Sequence, residues 1–332
     1  MQPVGAWLKL ARMRPAAFLV CLLGACTFQP SRLAGREDID AAPDVPRPDA
    51  AAVVPPDASL PDAGPTVLCD FASLVDGQTL TPELVAKVNT AEVDRDPFIT
   101  VDGTTLFLMS PRPGGQGEDI WTAKRADRDA DFSVPVNATA LNSSAPDTRV
   151  SMTADERILV LSSARIGPGF DVYVSEREDT EDEFPAPELL AGVNSAADEF
   201  DPVISLDGLR LYVSAPGSAG GQDLLVATRG DRDADFATPQ TLAVVNTSDN
   251  EADPAFTADE LVMVFARGSD LYYATRASTD QDFSAPLPLT SINTDARESD
   301  PFVTADGCEL FFASDRAGGM GGLDLYRVRL GP

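Results

Sequence analysis

The feature that most restricts this chain is an internal repeat carried by spacing rather than by identity. An Asn follows an aliphatic residue at Val88-Asn89, Leu141-Asn142, Val193-Asn194, Val245-Asn246 and Ile292-Asn293, and thirteen residues after each stands an Asp: Asp102, Asp155, Asp207, Asp259 and Asp306. A second Asp opens an apolar run at Asp119, Asp171, Asp223, Asp270 and Asp324. In the first four copies a Phe comes thirteen residues later, at Phe132, Phe184, Phe236 and Phe283, and the next Asn ten residues after that. Only the interval between the two Asp varies, from 11 to 18 residues. Exposed loops absorb insertions and packed strands do not, so the variable piece is a hairpin loop.

Each unit divides into four short strands. The first is like Phe98-Ile99-Thr100-Val101 and ends in the turn Asp102-Gly103; the second is like Thr105 to Met109. A Gly-rich loop leads to the third, such as Asp171 to Val174 or Asp324 to Val328, and the fourth follows the Phe, near Leu189-Leu190 or Leu242-Ala243-Val244. A repeat of 52 residues, the interval from Asn142 to Asn194, with four strands and Asp-Gly turns predicts an all-β fold, a β-propeller. Five blades are expected, with six as the alternative because Phe71 to Asn89 spans 18 residues where the other copies use ten. The last copy stops after its third strand, so a strand beginning near Phe71 is expected to complete that blade and close the ring. Closure removes an open sheet edge.

Two segments carry a resemblance. Asp201-Pro202-Val203-Ile204-Ser205-Leu206-Asp207-Gly208 and Asp300-Pro301-Phe302-Val303-Thr304-Ala305-Asp306-Gly307, each running into an apolar strand and the latter on to Ser314-Asp315-Arg316, resemble the TolB-type, WD-repeat-like propeller unit. The resemblance covers nearly all of residues 70 to 332. It implies a propeller and protein binding at the cell envelope.

Composition removes several classes of function. With no His, the chain has no Ser-His-Asp triad and no imidazole metal ligand. Its 25 basic against 53 acidic side chains, a net charge of -28, leave no basic surface for nucleic acid. The 43% of hydrophobic residues still suffices for a core.

Residues 1–25 read as an export signal, with Lys9, Arg12 and Arg14 before the apolar run Ala16 to Leu23. That run is about half of the roughly 20 residues a spanning helix needs. Leu23-Gly24-Ala25-Cys26 resembles the bacterial lipoprotein box, which implies a lipid on Cys26; Thr27 rather than Asp after the Cys fits an outer-membrane protein. From there to residue 68 Pro, Ala and Asp dominate, and an extended tether reaching on the order of 100 Å is expected before the propeller domain of residues 69–332. Contact with the membrane is expected through the lipid alone.

The candidate binding site is acidic. Before the first strands lie Asp96, Asp198, Asp201, Asp249, Asp253 and Asp300, which are expected to ring one mouth of the channel and attract a basic peptide or other envelope partner. Copy two departs from the pattern, with Arg149-Val150 where the others have Asp-Pro. The hairpin Asp127-Arg128-Asp129-Ala130-Asp131 has the alternation of a calcium loop without its Gly and distal Glu, so no cofactor is expected and calcium is the one ion kept in view. The strand-opening Asp of all five copies and the Arg of the preceding loop in four of them (Arg112, Arg165, Arg267, Arg316) recur with the repeat, which fits a structural ion pair or turn bond rather than catalysis. No residue is assigned a catalytic role, and a non-enzymatic binding or scaffold module is expected. The second reading is a carbohydrate-active hydrolase, since two channel carboxylates suffice for that chemistry. Export also places Cys69 and Cys308 where disulfides form. Cys308 opens the second strand of the last blade and Cys69 precedes the expected closing strand at the same end, so a bond between them is expected to lock the ring.

If Cys26 is acylated, the wild-type chain partitions into the detergent phase and the Cys26→Ser variant into the aqueous phase. Equal aqueous partitioning would remove the anchor.

Overall fold

A computed structural model describes residues 69–71, 80–218 and 220–330. All belong to one compact unit, Ser59–Pro332. The export signal, Cys26 and the tether of residues 26–68 lie outside the described residues.

Twenty short strands form five four-stranded antiparallel sheets. Blade 1 holds β2 (Arg95–Ile99), β3 (Thr105–Ser110), β4 (Asp119–Lys124) and β5 (Val136–Asn137). Blade 2 holds β6 (Asp147–Met152), β7 (Ile158–Ser163), β8 (Asp171–Glu176) and β9 (Glu188–Leu189). Blade 3 comprises β10 (Phe200–Ile204), β11 (Arg210–Pro216), β12 (Gln222–Thr228) and β13 (Gln240–Thr241), and blade 4 comprises β14 (Glu251–Phe256), β15 (Val262–Arg267), β16 (Asp270–Thr275) and β17 (Leu287–Pro288). Blade 5 is β18 (Glu298–Val303), β19 (Glu309–Ser314) and β20 (Asp324–Arg329), completed by β1 (Glu83–Leu84). The count is five, not six. The five first strands touch one another in cyclic order around the axis.

The repeated residues now have physical roles. Each anchor Asn hydrogen-bonds a third strand through its side-chain amide: Asn142 Oδ1 accepts from Ile120 N and its Nδ2 donates to Ile120 O, at 2.8 and 2.9 Å. Asn194, Asn246 and Asn293 do the same to Val172, Leu224 and Leu271, and Asn89 to Leu325 across the closure. The turn Asp of each blade accepts from the hydroxyl two residues before it, as Thr100 does to Asp102 and Ser205 to Asp207. In blades 1 to 4 the repeated Phe lies under an Arg guanidinium that follows the third strand, Arg125 over Phe132, Arg177 over Phe184, Arg229 over Phe236 and Arg276 over Phe283. Between neighbouring blades lie five apolar clusters, so the core is a set of interfaces rather than one centre.

Two expectations need correction. The closing strand is Glu83–Leu84, not a strand beginning at Phe71; Phe71 is instead buried beside Tyr326, Val328 and Leu330 in the blade 4 to blade 5 core. The fourth strand of blade 3 is Gln240–Thr241, and Leu242 to Val244 belong to the turn after it, where Val245 N donates to Leu242 O. The loop Arg and the strand-opening Asp take the two structural roles expected of them, an ion pair for the one and turn bonds for the other, though not with each other. Arg112 pairs with Asp94, Arg165 with Asp147 (2.6 Å), Arg267 with Glu251 (2.7 Å) and Arg316 with Glu298 (2.9 Å), all acids at or just before the first strand. In blades 1 and 5 the strand-opening Asp instead binds its own loop: Asp119 accepts from Gln116 N and Asp324 from Met320 N.

Cys69 and Cys308 are joined by a disulfide, with 5.1 Å between Cα atoms and 239 residues between them in sequence. A crosslink of that span removes loop entropy equivalent to at most about 5 kcal/mol from the unfolded chain. Mass spectrometry of the non-reduced protein is expected to yield a peptide linking the two cysteines, and Cys308→Ser to lower the urea midpoint. Two freely alkylated thiols in the wild type would contradict the bond.

Candidate functional site

Each first strand except that of blade 2 carries an Asp at one matched position: Asp96, Asp201, Asp253 and Asp300, with Arg149 as the fifth member. Every one of the five lies at a register shift of its strand against the second strand, and every one has a left-handed backbone, φ 52 to 55° for the Asp and 42° for Arg149. Asp tolerates that region better than most residues, because its short polar side chain can bond locally. The bulge places these side chains together at the axis.

The resulting ring is tight. One carboxylate oxygen from each of Asp96, Asp201 and Asp253 lies within 4.8 Å of the others. Asp201 Oδ2 accepts from Asp253 N and Asp253 Oδ2 from Asp300 N, both at 3.3 Å, and Asp96 and Asp300 share a side-chain hydrogen bond. Ser214 and Ser299 donate to Asp201 and Asp300 at 2.5 and 2.6 Å. Arg149 reaches across the axis to the far blades, where Nη2 donates to Pro254 O at 2.7 Å and Pro301 O at 3.3 Å; its Nη1 faces Asp96 Oδ1 at 3.9 Å. Asp96, Asp253, Asp300 and Arg149 are buried, and Asp201 is partly so.

Burial pushes Asp96 well above the ordinary carboxylate range, and the Asp300 charge adds to it. Asp253 rises for the same reasons, burial first, then Asp300 and Asp201. Asp300 moves the other way: burial opposes its charge, but the Asp96 hydrogen bond, Arg95 and Ser299 together hold it below that range.

On one side of the ring the channel opens into an apolar funnel. Its walls include Phe98, Val101, Met152, Leu206, Phe256 and Ala305, with Arg149 among them, and its free space, part of it open to solvent, is about 670 Å³. The turn that follows each first strand stands around this end. One wall residue, Glu260, occupies a left-handed turn position that is Gly in blades 1, 3 and 5 (Gly103, Gly208, Gly307). Arg210 donates to it at 2.7 Å, Tyr212 Oη at 2.7 Å and Arg276 at 3.4 Å, a brace between blades 3 and 4. The break of Asp-Gly to Asp259-Glu260 was visible in the sequence; its partners were not.

The six acids expected at one mouth therefore separate. Asp96, Asp201, Asp253 and Asp300 meet in the ring, at a constriction. Asp198 and Asp249 stand outside it, because they precede the bulge: Asp198 accepts from Phe170 N at 2.9 Å, and exposed Asp249 holds its backbone carbonyl close against Gly221. In the outer hairpin, Asp127 Oδ1 accepts from Asp129 N and Ala130 N, both at 3.0 Å, an Asx turn.

No protein-family model matches the sequence, and no curated protein matches it. Among solved structures, TolB from Acinetobacter baumannii is 17% identical with a TM-score of 0.39, over 59% of this chain and 43% of that one. A putative TolB from Agrobacterium tumefaciens is 14% identical with a TM-score of 0.44, over 69% and 72%. The catalytic domain of a family-62 α-L-arabinofuranosidase from Coprinopsis cinerea is 12% identical with a TM-score of 0.46, over 71% and 90%. This chain thus spans less than half the length of the Acinetobacter protein. At these scores the likenesses carry no functional information.

The ring makes stability depend on pH in opposite senses at different members. For Asp96 and Asp253, raised in the fold, the contribution is complete below the unfolded value of about 3.9 and is lost as pH climbs through the folded values. For Asp300 it is present above the unfolded value and is lost as pH falls through the folded one. Asp253→Asn is therefore expected to gain urea resistance relative to wild type as pH rises from about 4 to 8, whereas the deficit of Asp300→Asn stays level over that range and shrinks as pH falls below about 4. Parallel profiles for Asp253→Asn and wild type would contradict the raised assignment.

Proposed function

We propose that this protein is a non-enzymatic binding propeller of the cell envelope, held at the outer membrane by a lipid on Cys26, whose axial funnel takes an apolar anchor of a basic protein or polymer partner. The observation that carries this reading is the funnel itself. It is a concave apolar surface on the axis, and the turn acids around it are ionised: burial is the largest single influence on Asp102, Asp155 and Asp207 and raises them, but hydrogen bonds from Thr100 and Thr104, Thr153 and Arg232, and Ser205 and Leu209 together outweigh it and hold them below the usual carboxylate range. Asp155, Asp207 and Asp306 are already paired with Arg232, Arg210 and Arg128, which leaves Asp102 and Asp259 to face a Lys or Arg flanking a hydrophobic side chain in the pocket. The tether and lipid would keep such a module near its partners.

The hydrolase reading is the weaker one on the same geometry. A glycosidase needs two carboxyl groups about 5 to 9.5 Å apart on either side of a sugar. Here one oxygen from each of Asp96, Asp201 and Asp253 lies within 4.8 Å of the others, three of the four axial acids are buried, and Arg149 crosses beside them.

The test uses the Cys26→Ser chain as bait in envelope extract. Filling the funnel with Ala305→Trp is expected to abolish capture of the partner, while neutralising the hairpins with Asp127→Asn and Asp231→Asn leaves it intact. A partner retained by Ala305→Trp would move the binding surface elsewhere, and turnover of aryl glycosides that disappears in Asp96→Asn would replace binding with catalysis.

A further inference from the structure

Four carboxylates directed at one axis make a surrounding that a divalent cation would satisfy, since calcium takes six to eight oxygen ligands and is held by clustered Asp. In this chain the fifth position breaks the pattern. Blade 2 supplies Arg149, whose residue is 3% exposed and whose guanidinium crosses to blades 4 and 5 instead of turning aside to solvent. The backbone there adopts φ 42°, a conformation costly for a long side chain with no local bond to offer, so the position is held by what the guanidinium does. One edge of that group is anchored on Pro254 O and Pro301 O, the carbonyls directly after Asp253 and Asp300. The other edge, Nη1, is buried without a hydrogen-bond partner and aimed at Asp96. Carbonyl oxygens and an Asp oxygen around a positive centre are the ligands of a hard cation, here gathered around an Arg.

We propose that Arg149 is the resident counter-ion of the axial ring, occupying the place of a divalent cation, excluding calcium from the channel and closing it between ring and funnel. The proposal stands independently of the binding reading. It explains why copy two alone departs from Asp-Pro: a fifth Asp would crowd a fifth carboxyl group into the ring, whereas Arg149 adds a positive charge at the axis beside that of Arg95, which lies 3.8 Å from Asp96 at the edge of the ring. A guanidinium suits the task because it stays charged when buried and presents several donors in one plane. It also makes the funnel blind, so anything bound there enters and leaves by the same end.

The experiment is calcium titration of the Cys26→Ser chain, read by calorimetry and by the thermal midpoint, with Arg149→Asp, Arg149→Gln and Arg149→Lys beside it. Wild type and Arg149→Lys, which keep the positive charge, are expected to show no saturable binding and no shift at millimolar calcium. Arg149→Asp is expected to bind one calcium per chain and to gain thermal stability with it, because a ligand held only by the folded state raises its midpoint; adding Asp253→Asn to that variant should abolish both effects. If Arg149→Asp folds only when calcium is present, that supports the same assignment. Should it stay unfolded in calcium, Arg149→Gln decides: weaker saturable binding supports the proposal and none overturns it. Saturable calcium binding by the wild type that is lost in Asp253→Asn would overturn it outright, as would a folded Arg149→Asp that binds none.

Discussion

Each blade is finished by one carboxamide. The side chain of the anchor Asn presents a donor and an acceptor to the residue after the strand-opening Asp, the pairing that a neighbouring backbone would offer. It does so where the chain is leaving one blade for the next, so it fixes the path of the connecting loop to within a hydrogen bond. That path sets where the next first strand begins, and hence where its ring residue and its clasp acid, the carboxylate at or just before that strand, fall. The fifth of these pairings, Asn89 to Leu325, joins residues 236 apart and is made only when the ring is closed. An amide that extends a sheet satisfies backbone groups which would otherwise be buried without partners, at a net gain of roughly 1 kcal/mol per bond.

The architecture was legible because it is periodic. Fixed intervals between Asn, Asp and Phe require a structure in which each repeat makes the same contacts, and that requirement alone yields blades. What escaped reading was whatever lacks a period. Two-residue outer strands such as Glu83–Leu84 carry no alternation to detect, and eight additional residues separate Phe71 from its expected place. The pairing of Arg112 with Asp94 rather than Asp119 depends on which way a loop folds, which spacing does not encode. Asp198 and Asp201 are three residues apart and alike in sequence, yet the bulge sends one to the axis and leaves the other in the loop. Arg149 stood out as a departure; its partners lie 105 and 152 residues away.

The acidity of the chain takes on a spatial meaning. Inside the blades the clasp acids Asp94, Asp147, Glu251 and Glu298 each face an Arg, and the remaining uncompensated clasp acid, Glu199, sits in blade 3, where Pro216 stands in the loop position that holds Arg in blades 1, 2 and 5. Burial raises Glu199 against the hydrogen bonds from Ser195 that lower it. Cations are thus drawn inward to offset buried carboxylates, and the surface is left with the excess negative charge. A strongly acidic exterior favours solubility and encounters with basic molecules, and says little about fold.

The disulfide has a mechanical consequence. Cys69 is tied to Cys308 covalently and also donates its N–H to Asp306 O at 3.0 Å. Tension arriving along the chain from the N-terminal side therefore passes into β19, an interior strand paired on both sides, before it reaches β1. β1 meets β20 over only Glu83 and Leu84. Without the crosslink the same pull would peel β1 from the edge one pair at a time and open the ring at its seam. With it, the seam is bypassed, and the rate at which a pulled propeller opens is set by the rupture of a whole blade.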